Sequence, residues 1–342
     1  MYVLPHPLSS KRAPLTHVTA GKRPIRNQPQ SLTITTQTTV AEAQKLLAKA
    51  ARVSDPHRLA IVDPETKKII KDRAYLLAQV PGVESTGSIA VKDLGAQIGW
   101  RTVYMIEYAG PLFLSLLLAN QTVRSHVYPT ALFGEFSTPD GKPAPLSGIQ
   151  LLLLVMMQVH FIKRELETVF LHKFSAATMP FVYVFRNSAH YWLLAGFNIP
   201  YFAFAPTAVA NAPLDVLPEW HSYAVYAGIA LYVFGELANF NAHRVLANLR
   251  PAGTTKRGIP KGFGFGFVTC PNYFFEIVAW IGVTLVVRSW ASVLFVAVAW
   301  VTMQGWAVAR EKRYRAEFPE YKPKKWALTP FVNVPVRKPR KE

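Results

Sequence analysis

The spacing of apolar residues changes character near residue 100. Before that point the periods are short. Leu32 and Ile34 alternate with threonines as a half-buried strand does, and Thr39 precedes Val40, Ala43, Leu46, Leu47 and Ala50, a helical spacing with a capping residue in place. Leu59-Ala60-Ile61-Val62 and Ile89-Ala90-Val91 read as two further strands, set off by the turn signals Asp63-Pro64-Glu65 and Pro81-Gly82. These elements predict a small β–α–β domain over residues 31–95. Ahead of it, residues 1–30 are basic and rich in proline, which predicts a loosely ordered arm with Tyr2-Val3-Leu4 as a short strand.

Beyond Asp93-Leu94-Gly95-Ala96-Gln97-Ile98-Gly99-Trp100 the apolar runs lengthen until they match a bilayer. A hydrocarbon layer of roughly 30 Å needs about 20 mostly apolar helical residues. Spans are predicted near Val103 to Asn120, Ser147 to Ile162, His190 to Ala210, Tyr223 to Phe240, Phe274 to Val287 and Trp290 to Val308. Trp100, Trp192, Trp220, Trp290 and Trp306 fall near the span ends, where amphipathic rings settle. The expected fold is an α-helical polytopic membrane protein with about six transmembrane helices in residues 96–342. A small N-terminal α+β domain of the ubiquitin-like kind precedes it.

Composition supports the membrane reading, since 51% hydrophobic and 13% aromatic residues are too many for an ordinary soluble enzyme of 342 residues. The net charge of +18 is gathered outside the spans. Lys11, Arg12, Lys22 and Arg23 lie in the arm; Lys163, Arg164, Lys173 and Arg186 follow the second span; Arg244, Arg250, Lys256, Arg257 and Lys261 follow the fourth; and a basic tail starts at Arg310. Asn211 to His221 carries only Asp215 and Glu219. Basic loops stay cytosolic, so an even number of spans with both termini in the cytosol is expected. Such charge on so greasy a chain points to anionic membrane lipid and an anionic cofactor as partners, with no nucleic acid. Met1 to Gln30 contains no apolar run of signal-peptide length, so the first span is expected to act as the membrane signal. Cys270 is the sole cysteine, which rules out an internal disulfide. Asn120-Gln121-Thr122 is a glycosylation sequon, expected to go unused because it hugs the membrane.

Candidate chemistry follows from polar residues where they are costly. Glu107 lies in the first span, and Glu236, Asn239, Asn241 and His243 mark the cytosolic half of the fourth; such residues face a bundle interior or a wet cavity. His160, Lys163, Arg164, Glu167, His172 and Ser175 continue the second span as a helix, on which Lys163 and Glu167 are four apart and can pair. Val169, Phe170 and Leu171 carry the apolar stripe on beside them, as a cavity wall would. Arg250 and Arg257 supply forked donors suited to phosphates. Tyr273 and Glu276 share one face of a helix start, where a phenol can serve as a proton donor. Against each functional reading stands a plainer one: Glu107 as a packing ion pair, the second loop as a solvated face, Tyr273 as an interfacial tyrosine. Gly262-Phe263-Gly264-Phe265-Gly266 is not a dinucleotide fingerprint and reads as a flexible hairpin. The histidines are scattered without metal-ligand spacing, and neither a Walker loop nor a GxSxG elbow occurs.

Several ordered motifs together resemble one family. They are Asp93 to Trp100 running into Glu107-Tyr108-Ala109-Gly110-Pro111-Leu112, then His160-Phe161-Ile162-Lys163-Arg164 with Glu167-Thr168 and His172-Lys173-Phe174-Ser175. Leu249-Arg250-Pro251-Ala252-Gly253 and Cys270-Pro271-Asn272-Tyr273 complete the set. This pattern is similar to the very-long-chain trans-2-enoyl-CoA reductases of the endoplasmic reticulum, within the steroid 5α-reductase superfamily. The resemblance implies NADPH-dependent reduction of a trans-2-enoyl-CoA, the last step of fatty-acid elongation, with hydride added at C3 and a proton at C2. It implies Tyr273 as proton donor, Lys163, Arg164 and Glu167 around the thioester or cofactor, and Glu107 supporting the cavity. It also implies Asn239, His243, Arg250, Arg257, Asn272, Glu276, Arg310 and Tyr314 around NADPH. A very-long-chain enoyl-CoA substrate, membrane lipid and other elongation enzymes are the implied partners, and both termini would face the cytosol from the endoplasmic reticulum membrane.

Two positions depart from the steroid reductases: His243 stands where they tend to carry aspartate, and Phe161 where they carry the tyrosine that pairs with the first-span glutamate. The second departure argues against a 3-oxo-steroid substrate. A sterol or polyprenol reductase is the alternative within the superfamily. Membrane methyl transfer and a scaffold acting through the N-terminal domain are the alternatives outside it.

Overall fold

A computed structural model describes residues 15–20, 25–129, 132, 144–174, 177–249 and 258–332. The chain divides into two compact units, one of residues 1–100 with 174–183, the other of residues 101–173 with 184–342.

The first unit is a four-stranded sheet with a helix against it. Strand β1 (Leu15–Ala20) pairs antiparallel with β2 (Ser31–Thr33) and parallel with β4 (Ser88–Asp93), and β3 (Leu59–Val62) adds antiparallel to β4, giving the order β2-β1-β4-β3. Helix α1 (Val40–Ala50) begins at the Thr39 cap, where the Glu42 amide donates to Thr39 Oγ1 and the Thr39 amide donates to the Glu42 carboxylate at 2.8 Å. Its buried face of Val40, Ala43, Leu47 and Ala48 joins Leu59, Ile61, Ile89 and Val91 in one apolar cluster. Leu46, expected on that face, is 41% exposed because the buried face of Val40, Ala43, Leu47 and Ala48 is centred on the other side of Ala43, which leaves Leu46 past its edge. The central β1 lies within the stretch read from sequence as an arm. A parallel partner is distant in the chain, so the strand's apolar residues have no local pattern to announce it. Tyr2-Val3-Leu4 lies outside the described residues. A short helix α2 (Pro81–Thr86) leads into β4, and β5 (Gln97–Gly99) pairs antiparallel with β6 (Thr178–Pro180).

The second unit is helical. Helix α3 (Trp100–Ala119) is followed by α4 (Gln121–Val127), whose first amides are capped by the Asn120 side chain. Helix α5 (Gly148–Leu166) starts in a Ser147–Gln150 capping box and runs into a π-helical turn at Glu167–Leu171. Next, α6 (Tyr183–Ala189), a π-helical stretch at His190–Asn198 and α7 (Ile199–Ala203) follow one another without a break. The third expected span therefore begins earlier than His190, and the chain leaves the helix after Ala203. Last come α8 (Glu219–Asn248), α9 (Pro271–Val287) and α10 (Trp290–Glu317).

Helices α3, α8 and α10 are long and apolar enough to cross a membrane, and α9 is a shorter apolar helix. Helices α8 and α9 pack antiparallel at backbone contact. A Cβ on Gly228 would lie 2.7 Å from the Gly282 carbonyl oxygen, and one on Gly235 would lie 2.6 Å from the Ala279 nitrogen. Small residues seven apart on α8 thus let its polar C-terminal half close directly onto the first turns of α9.

Candidate active site

Helices α5, α8 and α9 bring together the polar side chains that their apolar faces would otherwise exclude. Lys163 on α5 places Nζ 2.6 Å from Glu236 Oε2 and 2.7 Å from Asn239 Oδ1, both on α8. Asn239 in turn donates from Nδ2 to Glu276 Oε2 at 2.9 Å and to the backbone carbonyl of Asn272 at 2.8 Å, both on α9. His160 bridges the same helices, with Nδ1 2.6 Å from Glu236 Oε1 and Nε2 3.3 Å from Glu276 Oε1. Both ring nitrogens face carboxylates, and the ring is edge-on to Phe161 and Trp280.

One turn further along α5, Arg164 makes a second cluster. Its guanidinium pairs with Glu167 Oε2, and Nη2 donates to the Tyr108 hydroxyl on α3 at 2.8 Å. The Nδ1 of His243 lies 3.0 Å from both Arg164 Nη1 and Glu167 Oε2. Burial alone would raise the Glu167 carboxyl, but the His243 hydrogen bond and the Arg164 and Lys163 charges hold it down at about 2. Burial, with Arg164 nearby, presses His172 down to about 3, so this ring stays neutral. The expected Lys163–Glu167 pair forms loosely, at 3.9 Å.

Glu167, His172 and His243 bring ligand atoms within 4.8 Å of one another. The Arg164 guanidinium already occupies the neighbourhood of two of them, placing a fixed positive charge where a metal ion would need to sit.

The tyrosine of α9 borders both clusters. Tyr273 is half-buried, with its ring centroid 6.0 Å from that of Trp306, and lies within electrostatic reach of Arg310, Arg164 and Tyr314. Arg310 hydrogen-bonds Tyr314 one turn along α10. Tyr104 on α3 stands within reach of Glu107, Tyr273, Arg164 and Arg310, which connects the α3 and α10 sides. Glu107 is 2% exposed; its carboxylate hydrogen-bonds Asn187, yet its Oε1 has no hydrogen-bond partner.

Of the residues singled out from sequence, Lys163, Arg164, Glu167, Asn239, His243, Asn272 and Glu276 meet directly. Glu107, Tyr273, Arg310 and Tyr314 border them, while Arg250, Arg257 and Ser175 lie outside the described residues. Sequence reasoning gave no role to Tyr108, Tyr191 or the His160 bridge. Tyr108 follows Glu107 and is 1% exposed, with Tyr191 edge-on at 5.2 Å. Phe161, in place of a second phenol, is fully buried in the same aromatic cluster. A tyrosine directly beside a buried span glutamate was the available signal.

Residues 177–333 match the family model described as 3-oxo-5-alpha-steroid 4-dehydrogenase. A very-long-chain enoyl-CoA reductase of Dictyostelium discoideum is 35% identical over 309 residues, covering 88% of this chain and 94% of the relative. The chain belongs to the very-long-chain enoyl-CoA reductase family. A Caenorhabditis elegans protein named for the same activity is 32% identical over 302 residues, covering 86% and 91%. A Schizosaccharomyces pombe protein named as an enoyl reductase is 40% identical over 252 residues, covering 73% and 78%. This reductase family implies a nicotinamide cofactor. The site fits one in two respects: the buried Glu107 Oε1 lacks a donor, as an acceptor for a carboxamide would, and Arg310 stands beside the phenol of Tyr273.

Proposed function

We propose that this protein reduces the 2,3 double bond of very-long-chain trans-2-enoyl-CoA to the saturated acyl-CoA, using NADPH, in the last step of fatty-acid elongation. The single observation that carries the reading is the pairing of phenols with buried cations. Tyr108 is bonded to Arg164, and Tyr273 lies within reach of Arg164 and Arg310, all inside a bundle of apolar helices. An enoyl thioester needs this combination, since its chain is oily and its reduction builds negative charge on the thioester oxygen.

When bound, NADPH supplies the hydride that adds to C3. Tyr273 donates the proton to C2, and the Arg164 guanidinium stabilises the charge that develops between the two events. Lys163 and Asn239 position the first turn of α9, and hence Tyr273, through Glu276 and the Asn272 carbonyl. Glu107, whose Oε1 lacks a donor, would accept from the carboxamide of the bound cofactor. Arg250, Arg257, Arg310 and Tyr314 with His243 would hold the phosphates and ribose. The remaining parts of the proposal are a six-span bundle in the endoplasmic reticulum membrane, both termini in the cytosol, and docking of other elongation enzymes. The strand order β2-β1-β4-β3, with α1 crossing between the hairpin and β3, supports a ubiquitin-like identity for the first unit.

The test is product analysis of the purified protein with NADPH and a long trans-2-enoyl-CoA. Deuteride from labelled cofactor is expected at C3 and solvent deuterium at C2. Absence of saturated acyl-CoA would overturn the reading. Reduction of an enone steroid instead would favour the second reading, which the steroid dehydrogenase match on residues 177–333 keeps open.

A further inference from the structure

His160 is a buried titratable group that the proposed reaction does not use. Its side chain, 2% exposed, spans two helices: Nδ1 lies 2.6 Å from Glu236 Oε1 on α8, and Nε2 lies 3.3 Å from Glu276 Oε1 on α9. Phe161 and Trp280 stand at steep angles to the ring, with centroids 4.8 Å and 5.1 Å away, and fix the plane in which its nitrogens point.

A neutral imidazole has one N–H and one bare nitrogen, so in either tautomer a lone pair would face a carboxylate oxygen. A proton on one of the carboxylates would remove that conflict. The second oxygen of each, however, is already held by a donor, as an ionised carboxylate requires. Glu236 Oε2 lies 2.6 Å from Lys163 Nζ, and Glu276 Oε2 accepts from Asn239 Nδ2 at 2.9 Å. The charge count agrees. Glu236 and Glu276 share this cluster with the cation of Lys163, while Arg164 is taken up by Glu167. The phenol of Tyr232, one turn before Glu236 on α8, gives its proton to the Met156 carbonyl at 2.7 Å. A neutral ring would therefore leave one net negative charge buried among apolar helices, which is costly.

We propose that His160 is a positioning residue held as an imidazolium, with both ring nitrogens protonated, and that this fixed cation balances Glu236 and Glu276 and so anchors the first turn of α9. Glu276 lies three residues after Tyr273, and the Asn239 that binds its other oxygen also donates to the Asn272 carbonyl at 2.8 Å. The clamp thus sets the backbone from which the Tyr273 phenol projects. The charge on the ring is independent of the reductase reading; its effect on turnover rests on that reading.

Nitrogen NMR of the full chain in detergent, with histidine labelled in nitrogen-15, reads the charge directly. The His160 signals are identified by their loss in His160→Gln or, if that variant does not fold, by their contacts with the Trp280 ring. Two protonated nitrogens with no titration step are expected from about pH 6 to about pH 8, the window in which an ordinary imidazole changes charge. One protonated nitrogen, or a titration step within that window, would overturn the proposal. A thermal cycle tests the balance separately. His160→Gln and Glu236→Gln should each lower the melting temperature, and the double variant, which restores equal numbers of charges, should melt above His160→Gln. Additive losses would mean that the ring acts by packing alone, and would also overturn it. Turnover of enoyl-CoA should fall roughly tenfold in His160→Gln with the KM for NADPH little changed, and recover in part in the double variant. Should the wild type reduce no enoyl-CoA, the reductase reading fails, while the NMR and melting results still decide the charge on His160.

Discussion

The Tyr108 hydroxyl accepts a 2.8 Å hydrogen bond from Arg164, whose guanidinium carbon stands 5.1 Å from the centre of the same ring. That bond uses a lone pair of the Tyr108 oxygen and leaves its O–H free, so two phenols stand near the candidate site, Tyr108 on α3 and Tyr273 on α9, and substitution of each tells which one gives the proton. Tyr273→Phe is expected to lower turnover on the order of 100-fold with little change in the cofactor KM, the usual scale for losing a general acid. Tyr108→Phe is expected to cost less than tenfold, because it removes only an orienting contact of Arg164. Stopped-flow NADPH oxidation with a long enoyl-CoA checks both, and a larger loss for Tyr108→Phe would exchange their roles.

Acid should unfold this protein early. His172 is held neutral at about 3 against an ordinary value of 6.5, and Glu167 is held ionised at about 2 against 4.5. Both folded values are depressed, so the unfolded chain binds more protons and stability is complete only above about pH 6.5. It declines as pH falls, first through His172 and then, below about pH 4.5, through Glu167 as well. Melting temperature measured from neutral to acid pH should fall over this window. His172→Gln should flatten its upper part, and an unchanged curve for that variant would count against a buried neutral ring.

The approach of α8 to α9 leaves no room for a side chain at Gly235. Gly235→Val would push a branched carbon into the Ala279 nitrogen, 2.6 Å from an ideal Cβ, and the Phe275 carbonyl oxygen at 2.8 Å. Backbone atoms cannot step aside as a side chain can, so a loss of roughly 1–3 kcal/mol is expected. Activity should fall with it, because the same contact sets Asn239 against Glu276. Thermal unfolding in detergent measures the first effect and turnover the second; the milder Gly235→Ala should lie between.

Glu311 fastens the tail to the entrance of α9. Its fully buried carboxylate accepts from Thr269 Oγ1 at 2.5 Å, Tyr321 OH at 2.6 Å, Arg315 Nε at 2.8 Å and the Lys324 amide at 2.9 Å. The Cys270 amide, just ahead of α9, donates to the Ala327 carbonyl at 3.0 Å. Glu311→Ala strands these donors and should cost on the order of 3 kcal/mol. Faster tryptic cleavage after Lys324 and Lys325 in the variant is the expected readout, and equal rates would show that the tail is held by other contacts.

Local chemistry made part of this legible from the residues alone. The Thr39 cap, the strand at Leu59–Val62 and the long apolar helices each follow from near-neighbour periodicity. Lys163, Arg164, Asn239, His243 and Glu276 stood out because an ionisable or amide group beside an apolar run is costly unless it has a partner. Who that partner is lies 73 to 79 residues away for the α5–α8 contacts, beyond any periodic signal. For the same reason β1 was missed, since its parallel partner β4 follows some seventy residues later, from His17 to Ser88.

By itself the sequence determined where the oily stretches run, where the positive charge collects, and which polar side chains would need company inside a bilayer. Tertiary structure alone decided that Lys163 meets Glu236 and Asn239, that Arg164 turns to Tyr108 and His243, and that Phe161 takes an apolar place where a second phenol could have stood. The reason is steric: glycines on α8 permit backbone contact with α9, and the separation that results dictates which buried charges can reach one another.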